Sequence, residues 1–235
     1  DVSNPAHPPV VGQSPVFPHI VEDVVVASGH AYVANGESGL RIVDVSDPAH
    51  PTEVGFYATP GPAEGVAVAG DYAFVAAGGG GLRIVDVSDP AAPTEAGFYD
   101  TPGNALAVAV AGEYAYVAAG GGGLRIVDVS DPAHPAEVGF YDTPRSAYDV
   151  AVAGGYAYVA AGDLHIINVS DPAAPAGVGF YDTARNACDV AVAGDYAYVA
   201  DKNSGLHIVD LSDPAHPAGV GFYDTGGHAR AVAVA

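Results

Sequence analysis

Gly39-Leu-Arg-Ile-Val-Asp-Val-Ser-Asp-Pro-Ala49 returns almost unchanged at 81–91 and 123–133, and with small edits at 163–173 and 205–215. A shortened copy, Asp1-Val-Ser-Asn-Pro-Ala6, opens the chain. The run is a strand followed by a turn. Leu82, Ile84 and Asp86 alternate with Arg83, Val85 and Val87, so the two sets lie on opposite faces of an extended segment. Ser-Asp-Pro-Ala then ends it, because proline withholds a donor while Ser and Asp side chains bond the turn backbone.

Three more strands fall between successive copies. Upstream lies Tyr-Ala-Tyr-Val-Ala (114–118, 156–160, 196–200), with rings and methyls alternating in a period of two. It is joined to the run by a glycine turn such as Gly78–Gly81. Before it comes a small, β-branched strand such as Val66-Ala-Val-Ala69, which suits burial on both faces near an axis. Downstream, Glu-Val-Gly-Phe-Tyr-Asp carries charge and suits an outer edge. The Gly-Phe-Tyr triplets at 55–57, 97–99, 139–141, 179–181 and 221–223 set intervals of 42, 42, 40 and 42 residues. No helical period is present, and Gly or Pro arrives every few residues.

Four-stranded units of this length predict an all-β fold, a β-propeller in a single domain spanning 1–235. The units are 21–63, 64–105, 106–147, 148–187 and 188–229. Residues 1–20 match the end of a third strand plus a fourth, and 230–235 match a first strand. Together they predict a sixth blade shared between the two ends, short by about 17 residues of a blade of about 42. The expected ring is six-bladed, with a five-bladed ring as the alternative. An incomplete blade could mean an excerpt of a longer protein, or a gap filled by another molecule through strand addition.

The Leu-Arg-Ile-Val-Asp core at 40–44, 82–86 and 124–128 resembles the LVIVD repeat, and the resemblance covers essentially the whole chain. Leu164-His-Ile-Ile-Asn168 departs from it, losing the Arg and the terminal Asp. The resemblance implies a propeller fold, a bacterial or archaeal cell-surface or secreted setting, and no catalytic residues to carry over.

Composition narrows the function. The chain has 28 acidic and 7 basic residues, a net charge of -21, with Lys202 the sole lysine. Such a surface repels nucleic acid and anionic lipid, and suits high salt. No apolar run reaches about 18 residues, so no membrane insertion is expected. One cysteine, Cys188, excludes an internal disulfide and reads as a small core thiol. The absence of methionine predicts a chain that does not start at a translation start.

No motif points to catalysis. Asp44, Asp86, Asp128 and Asp210 recur once per unit, as turn caps do. Calcium would need several converging oxygens, and no EF-hand or nonapeptide pattern is present, so no cofactor and no metal site is expected. His7, His50, His134 and His216 recur on one rim, too far apart for one zinc ion. The glycine runs lack the Lys-Ser or Lys-Thr of a phosphate cradle.

The connection from fourth to first strand varies most: Pro60–Glu64, Pro102–Leu106, Pro144–Tyr148, Ala184–Cys188 and Gly226–Arg230. It lies on the face where propellers bind ligands. Arg145, Tyr148, Asp149, Arg185, Asp189, His228 and Arg230 are therefore the candidate ligand-binding residues, suited to a small anion or a sugar. The leading expectation is a non-enzymatic extracellular or cell-surface scaffold for adhesion or self-assembly, with copies of itself as partner and filaments as one product. A carbohydrate- or small-ligand-binding propeller, with glycans as partners, is the alternative. A metal-dependent hydrolase or lactonase, which needs a metal ringed by carboxylates or imidazoles at the channel mouth, is third.

Overall fold

The computed structural model describes residues 7, 9–14, 16–184 and 186–234. They form five antiparallel four-stranded sheets and no helix. Blade 1 holds β1 (Asp23–Ala27), β2 (His30–Ala34), β3 (Leu40–Asp44) and β4 (Thr52–Tyr57). Blade 2 holds β5 (Gly65–Ala69), β6 (Tyr72–Ala76), β7 (Leu82–Asp86) and β8 (Thr94–Tyr99). Blade 3 holds β9 (Ala107–Ala111), β10 (Tyr114–Ala118), β11 (Leu124–Asp128) and β12 (Ala136–Tyr141). Blade 4 holds β13 (Asp149–Ala153), β14 (Tyr156–Ala161), β15 (Asp163–Asn168) and β16 (Ala176–Tyr181). Blade 5 holds β17 (Ala187–Ala193), β18 (Tyr196–Asp201), β19 (Gly205–Asp210) and β20 (Ala218–Tyr223).

Within each blade, chain order is also spatial order. The third and fourth strands slip register at one point, Ile84/Val85 in blade 2 and its equivalents elsewhere. Such a bulge bends the outer strand and adds the right-handed twist a propeller blade needs. The Ser-Asp-Pro turns are capped as their composition requires. Asp86 Oδ1 accepts from Ser88 N at 2.9 Å and from its Oγ at 2.7 Å. The same hydroxyl and amide hold the Asp86 carboxyl below the usual carboxylate range.

Blades stack through two unlike faces. One face carries the ring, the Leu and the Ile; the other carries Ala and Val. Tyr32, Leu40 and Ile42 of blade 1 pack on Val66, Val75 and Val85 of blade 2. Phe74, Leu82 and Ile84 of blade 2 repeat this on blade 3, and so on to blade 5. Every one of these Leu and Ile side chains is fully buried. Each contributes about 1.5–3 kcal/mol over an exposed position. Tyr57 and Tyr99 also reach across to donate to Glu95 and Glu137 of the following blade.

The six-blade expectation is corrected here to five blades in an open arrangement. Among the described residues of 7–22 and 224–234, none forms a strand. The physical reason is pairing: an inner and an outer segment, two strand widths apart, have no second and third strand between them to receive their backbone hydrogen bonds. The two segments nevertheless stand in register with the blades. Val232 N donates to Asp189 Oδ2 at 3.0 Å, as Val190 N does to Asp149 and Val66 N to Asp23 from the inner strands. Gly12 lies under the Pro48 carbonyl, where Gly55, Gly97, Gly139 and Gly179 of the outer strands lie under Pro90, Pro132, Pro172 and Pro214. A Cβ at any of these would collide with that carbonyl. The motif copy at Asp1–Ala6 lies outside the described residues.

Candidate functional site

The five connections bring their last residues to the channel mouth. Glu22, Glu64, Leu106, Tyr148, Cys188 and Arg230 hold one equivalent position each, and all six line a cavity of about 630 Å³. Identical backbone places thus carry two acids, an aliphatic chain, a phenol, a thiol and a guanidinium. Lys202 and His228 complete the wall on one side. The Lys202 Nζ lies 4.9 Å from the Tyr148 ring centroid, a cation–π contact. His228 Nδ1 lies 2.8 Å from the Lys202 carbonyl oxygen. Buried Asp201 braces the turn that carries Lys202 by accepting from Asn203 N and Ser204 N at 3.0 Å.

One residue further along, Asp23, Gly65, Ala107, Asp149, Asp189 and Ala231 line a narrower cavity of about 200 Å³. Asp149 and Asp189 share a side-chain hydrogen bond. Burial first, then the charge of Asp189, hold the Asp149 carboxyl well above the usual carboxylate range. Asp149 is therefore the partner that keeps the proton, and Asp189 accepts it. Glu64 at the mouth is also raised, by burial and then by Glu22 and Glu37. Mutual repulsion of carboxylates in a partly closed space has this consequence.

Of the seven candidate residues, Tyr148, His228 and Arg230 line the mouth, and Asp149 and Asp189 the ring beneath it. Arg145 is exposed and is not among the lining residues of either cavity; its connection is pinned through the carbonyl, which accepts from Thr143 Oγ1 at 2.5 Å. Arg185 lies outside the described residues. Cys188 corrects the core-thiol reading. It stands at the mouth, half-buried, with Sγ donating to Ala200 O at 3.4 Å and Ala229 O at 3.5 Å. Burial pushes the thiol up, the reverse of what a nucleophile needs. Lys202 was not among the candidates. Its signal is the replacement of Ala-Gly-Gly-Gly in earlier turns by Asp201-Lys-Asn-Ser204.

The histidines of the rim turns stay apart. Nδ1 of His50, His134 and His216 meets Oδ2 of Asp47, Asp131 and Asp213 at 2.8–2.9 Å, each within its own turn. Among the described residues, no three His, Cys, Asp or Glu side chains gather where they could hold a metal ion.

A second feature is the seam between blade 5 and blade 1. Tyr198, Leu206 and Ile208 are half-buried, whereas the matching residues of blades 1–4 are buried. Tyr223 is 68% exposed and Val220 57%. Across the seam, Val24 is 53% exposed, while its counterparts Val66 and Val190 are at 5% and 4%. Phe17 packs over Val33 and Val43. Beside it is an apolar cavity of about 550 Å³, bounded by Gly12, Val21, Val24 and Val45.

The fold is shared widely. A protein of unknown function from Desulfotomaculum acetoxidans DSM 771 superposes with a TM-score of 0.72 at 13% identity, over 89% of this chain and 71% of that one. The β-propeller domain of Cps50 (Swd1) from Myceliophteria thermophila gives 0.70 at 14% identity, over 88% and 73%. BamB from Moraxella catarrhalis gives 0.62 at 16% identity, over 83% and 58%. These likenesses establish the propeller fold and nothing finer. No curated protein sequence matches the chain. The model of the LVIVD repeat matches five times, at 19–59, 60–101, 102–143, 144–183 and 184–225. The chain therefore belongs to the LVIVD-repeat family.

Proposed function

We propose that this propeller is a non-enzymatic scaffold, working outside the cell or at its surface, that makes protein–protein contacts in adhesion or self-assembly through the seam between blade 5 and blade 1. One observation carries the reading. The faces that bury each other four times within the chain are only partly covered at the seam, where Val24, Val220 and Tyr223 are exposed while Phe17 covers Val33 and Val43. An exposed apolar face of this kind is a surface for a partner. The experiment is light scattering of the purified protein across concentration, with negative-stain imaging. Association is expected, and Val220→Glu and Tyr223→Glu are expected to reduce it. A monomer at every concentration, unchanged by either variant, counts against self-assembly.

The mouth favours a second reading, a site for a small anionic or sugar ligand. Lys202, His228 and Arg230 stand beside Tyr148 in a chain that is otherwise strongly acidic. A glycan and organic-anion panel against the wild type and a Lys202→Ala, Arg230→Ala variant tests it. Binding lost in the variant supports the reading, and an empty panel removes it.

A further inference from the structure

Given the small-ligand reading of the mouth, on which the proposal rests, we infer that the ligand is a zwitterion: one small molecule, of amino-acid to dipeptide size, carrying both a carboxylate and an ammonium group.

The two cavities of the channel divide the charges by depth. Glu22, Glu64, Leu106, Tyr148, Cys188 and Arg230 line both. Lys202 and His228 line only the wider cavity at the mouth. Asp23, Asp149 and Asp189 line only the narrower one beneath it. The repeat divides the charges by side as well. Glu22 and Glu64 lead into β1 and β5, so they hold neighbouring places on blades 1 and 2. Tyr148 leads into β13 on blade 4, and Lys202 stands over its ring. Leu106, leading into β9, separates the two sectors.

Opposite charges on one wall normally cancel by pairing. Among the described residues, no ion pair joins Lys202 or Arg230 to Glu22 or Glu64. Burial, then Glu22 and Glu37, raise the Glu64 carboxyl instead. A charge left unmatched in a partly closed space is costly, and a ligand that brings the opposite charge relieves it. The sole lysine of a chain with a net charge of -21 is held at this mouth by the turn that Asp201 braces.

The balance of charges selects the ligand. A plain anion attracted by Lys202 and Arg230 also meets Glu22 and Glu64. A plain cation attracted by the two acids also meets Lys202 and Arg230. A molecule with both signs gains on both sides, and either single charge is discriminated against. Its orientation follows. The carboxylate points outward to Lys202 and His228, where the Arg230 guanidinium offers a forked pair of donors. The ammonium points inward, between Glu22 and Glu64 and above the aspartates. Leu106, Ile20 and Val21 give apolar contact to the body between the two ends. The volume of about 630 Å³ falls within the range of about 300–1,000 Å³ usual for small-molecule sites.

The test is calorimetric titration of the whole protein with L-leucine and with alanyl-leucine. Each is also used as its N-acetyl derivative, which is only an anion, and as its C-terminal amide, which is only a cation. The parent compound should bind at least about tenfold more tightly than either blocked form, the scale of one charge-assisted hydrogen bond. Variants and blocked ends should match. Lys202→Ala should weaken the parent by the same factor and should not weaken the amide. Glu64→Gln should weaken the parent by the same factor and should not weaken the N-acetyl form. Glu22→Gln, at an exposed position, is the second variant on that wall, and circular dichroism checks the fold of all three. If the N-acetyl form binds as tightly as the parent, or the variants weaken every form alike, the zwitterion is overturned and the anion reading stands. It is also overturned, with the broader reading intact, if none of these compounds binds while a glycan or organic anion does. If the amide binds as tightly as the parent, or if nothing binds, both fall.

Discussion

Asp149 shows how a half-buried carboxyl can be part of the architecture. Its Oδ2 accepts Val190 N at 2.8 Å, which ties the innermost strands of two blades together. Its proton serves Asp189. Because burial and Asp189 raise its folded value, its contribution to stability is complete below the unfolded carboxylate value of about 3.9 and is lost as pH rises through the raised one. The turn aspartates behave oppositely. Asp44, Asp86, Asp128 and Asp210 are lowered by their serine partners, so what they contribute is lost as pH falls through their folded values. Above about pH 5 the turn groups are largely ionised in both states, and the raised carboxyls of Asp149, Asp189 and Glu64 outweigh the opposite contribution of His165, which burial lowers. Thermal melts from about pH 5 to 8 should therefore show a falling midpoint in the wild type. Asp149→Asn keeps a donor toward Asp189 and removes the ionisation, so its profile should be flatter. Each kcal/mol moves the midpoint by roughly 2–4 °C in a chain of this size. A wild-type midpoint that rises over this range would refute the assignment.

The repeat makes one strand type available in different surroundings. Ile126 on β11 is fully buried against blade 4. Ile208 holds the same position on β19 and is half-buried at the seam. Ile126→Ala should cost about 2–5 kcal/mol, through lost burial and a residual cavity. Ile208→Ala should cost clearly less, because water already reaches the site. Urea melts of the two variants measure the difference, and equal losses would mean that the seam is closed in solution. The same comparison explains what could be read in advance. Strand identity, face alternation and turn capping follow from local pattern, so the five blades were legible in the repeat. Blade number was not, because closure depends on pairing between segments some two hundred residues apart. The mouth was legible by register: Tyr148 and Arg230 occupy one repeat position. Lys202 was missed because it arrives from the turn between β18 and β19, a different loop. Arg145 is on the variable connection, yet three residues before the lining position it stays on the outside.

Charge acts on the molecule as a whole. The net charge is -21, and cations are few. Arginine pairs exist: Arg41–Glu53 at 3.0 Å, Arg125–Asp142 at 3.2 Å and Arg83–Asp100 at 3.4 Å. Pairs with such exposed carboxylates are worth about 0–1 kcal/mol each, and salt weakens them. Repulsion among the unmatched carboxylates extends further and is also weakened by salt. The two effects have opposite signs in a melt, so salt decides which wins. Between about 0.1 M and 1 M the screening length shrinks from about 10 Å to about 3 Å. With acids exceeding bases four to one, relief of repulsion should dominate, and the melting midpoint should rise with sodium chloride. Preferential exclusion of salt also raises midpoints, so a charge control is needed. Asp71, Glu113 and Asp195 are exposed at equivalent hairpin turns, and their backbone carbonyls rather than their side chains accept from Val87, Val129 and Leu211. Reversing all three to lysine adds two charges at each place and leaves those bonds intact. If repulsion is the cause, the reversed variant should be more stable at low salt and respond less to added salt. An unchanged salt response in that variant would assign the effect to exclusion instead.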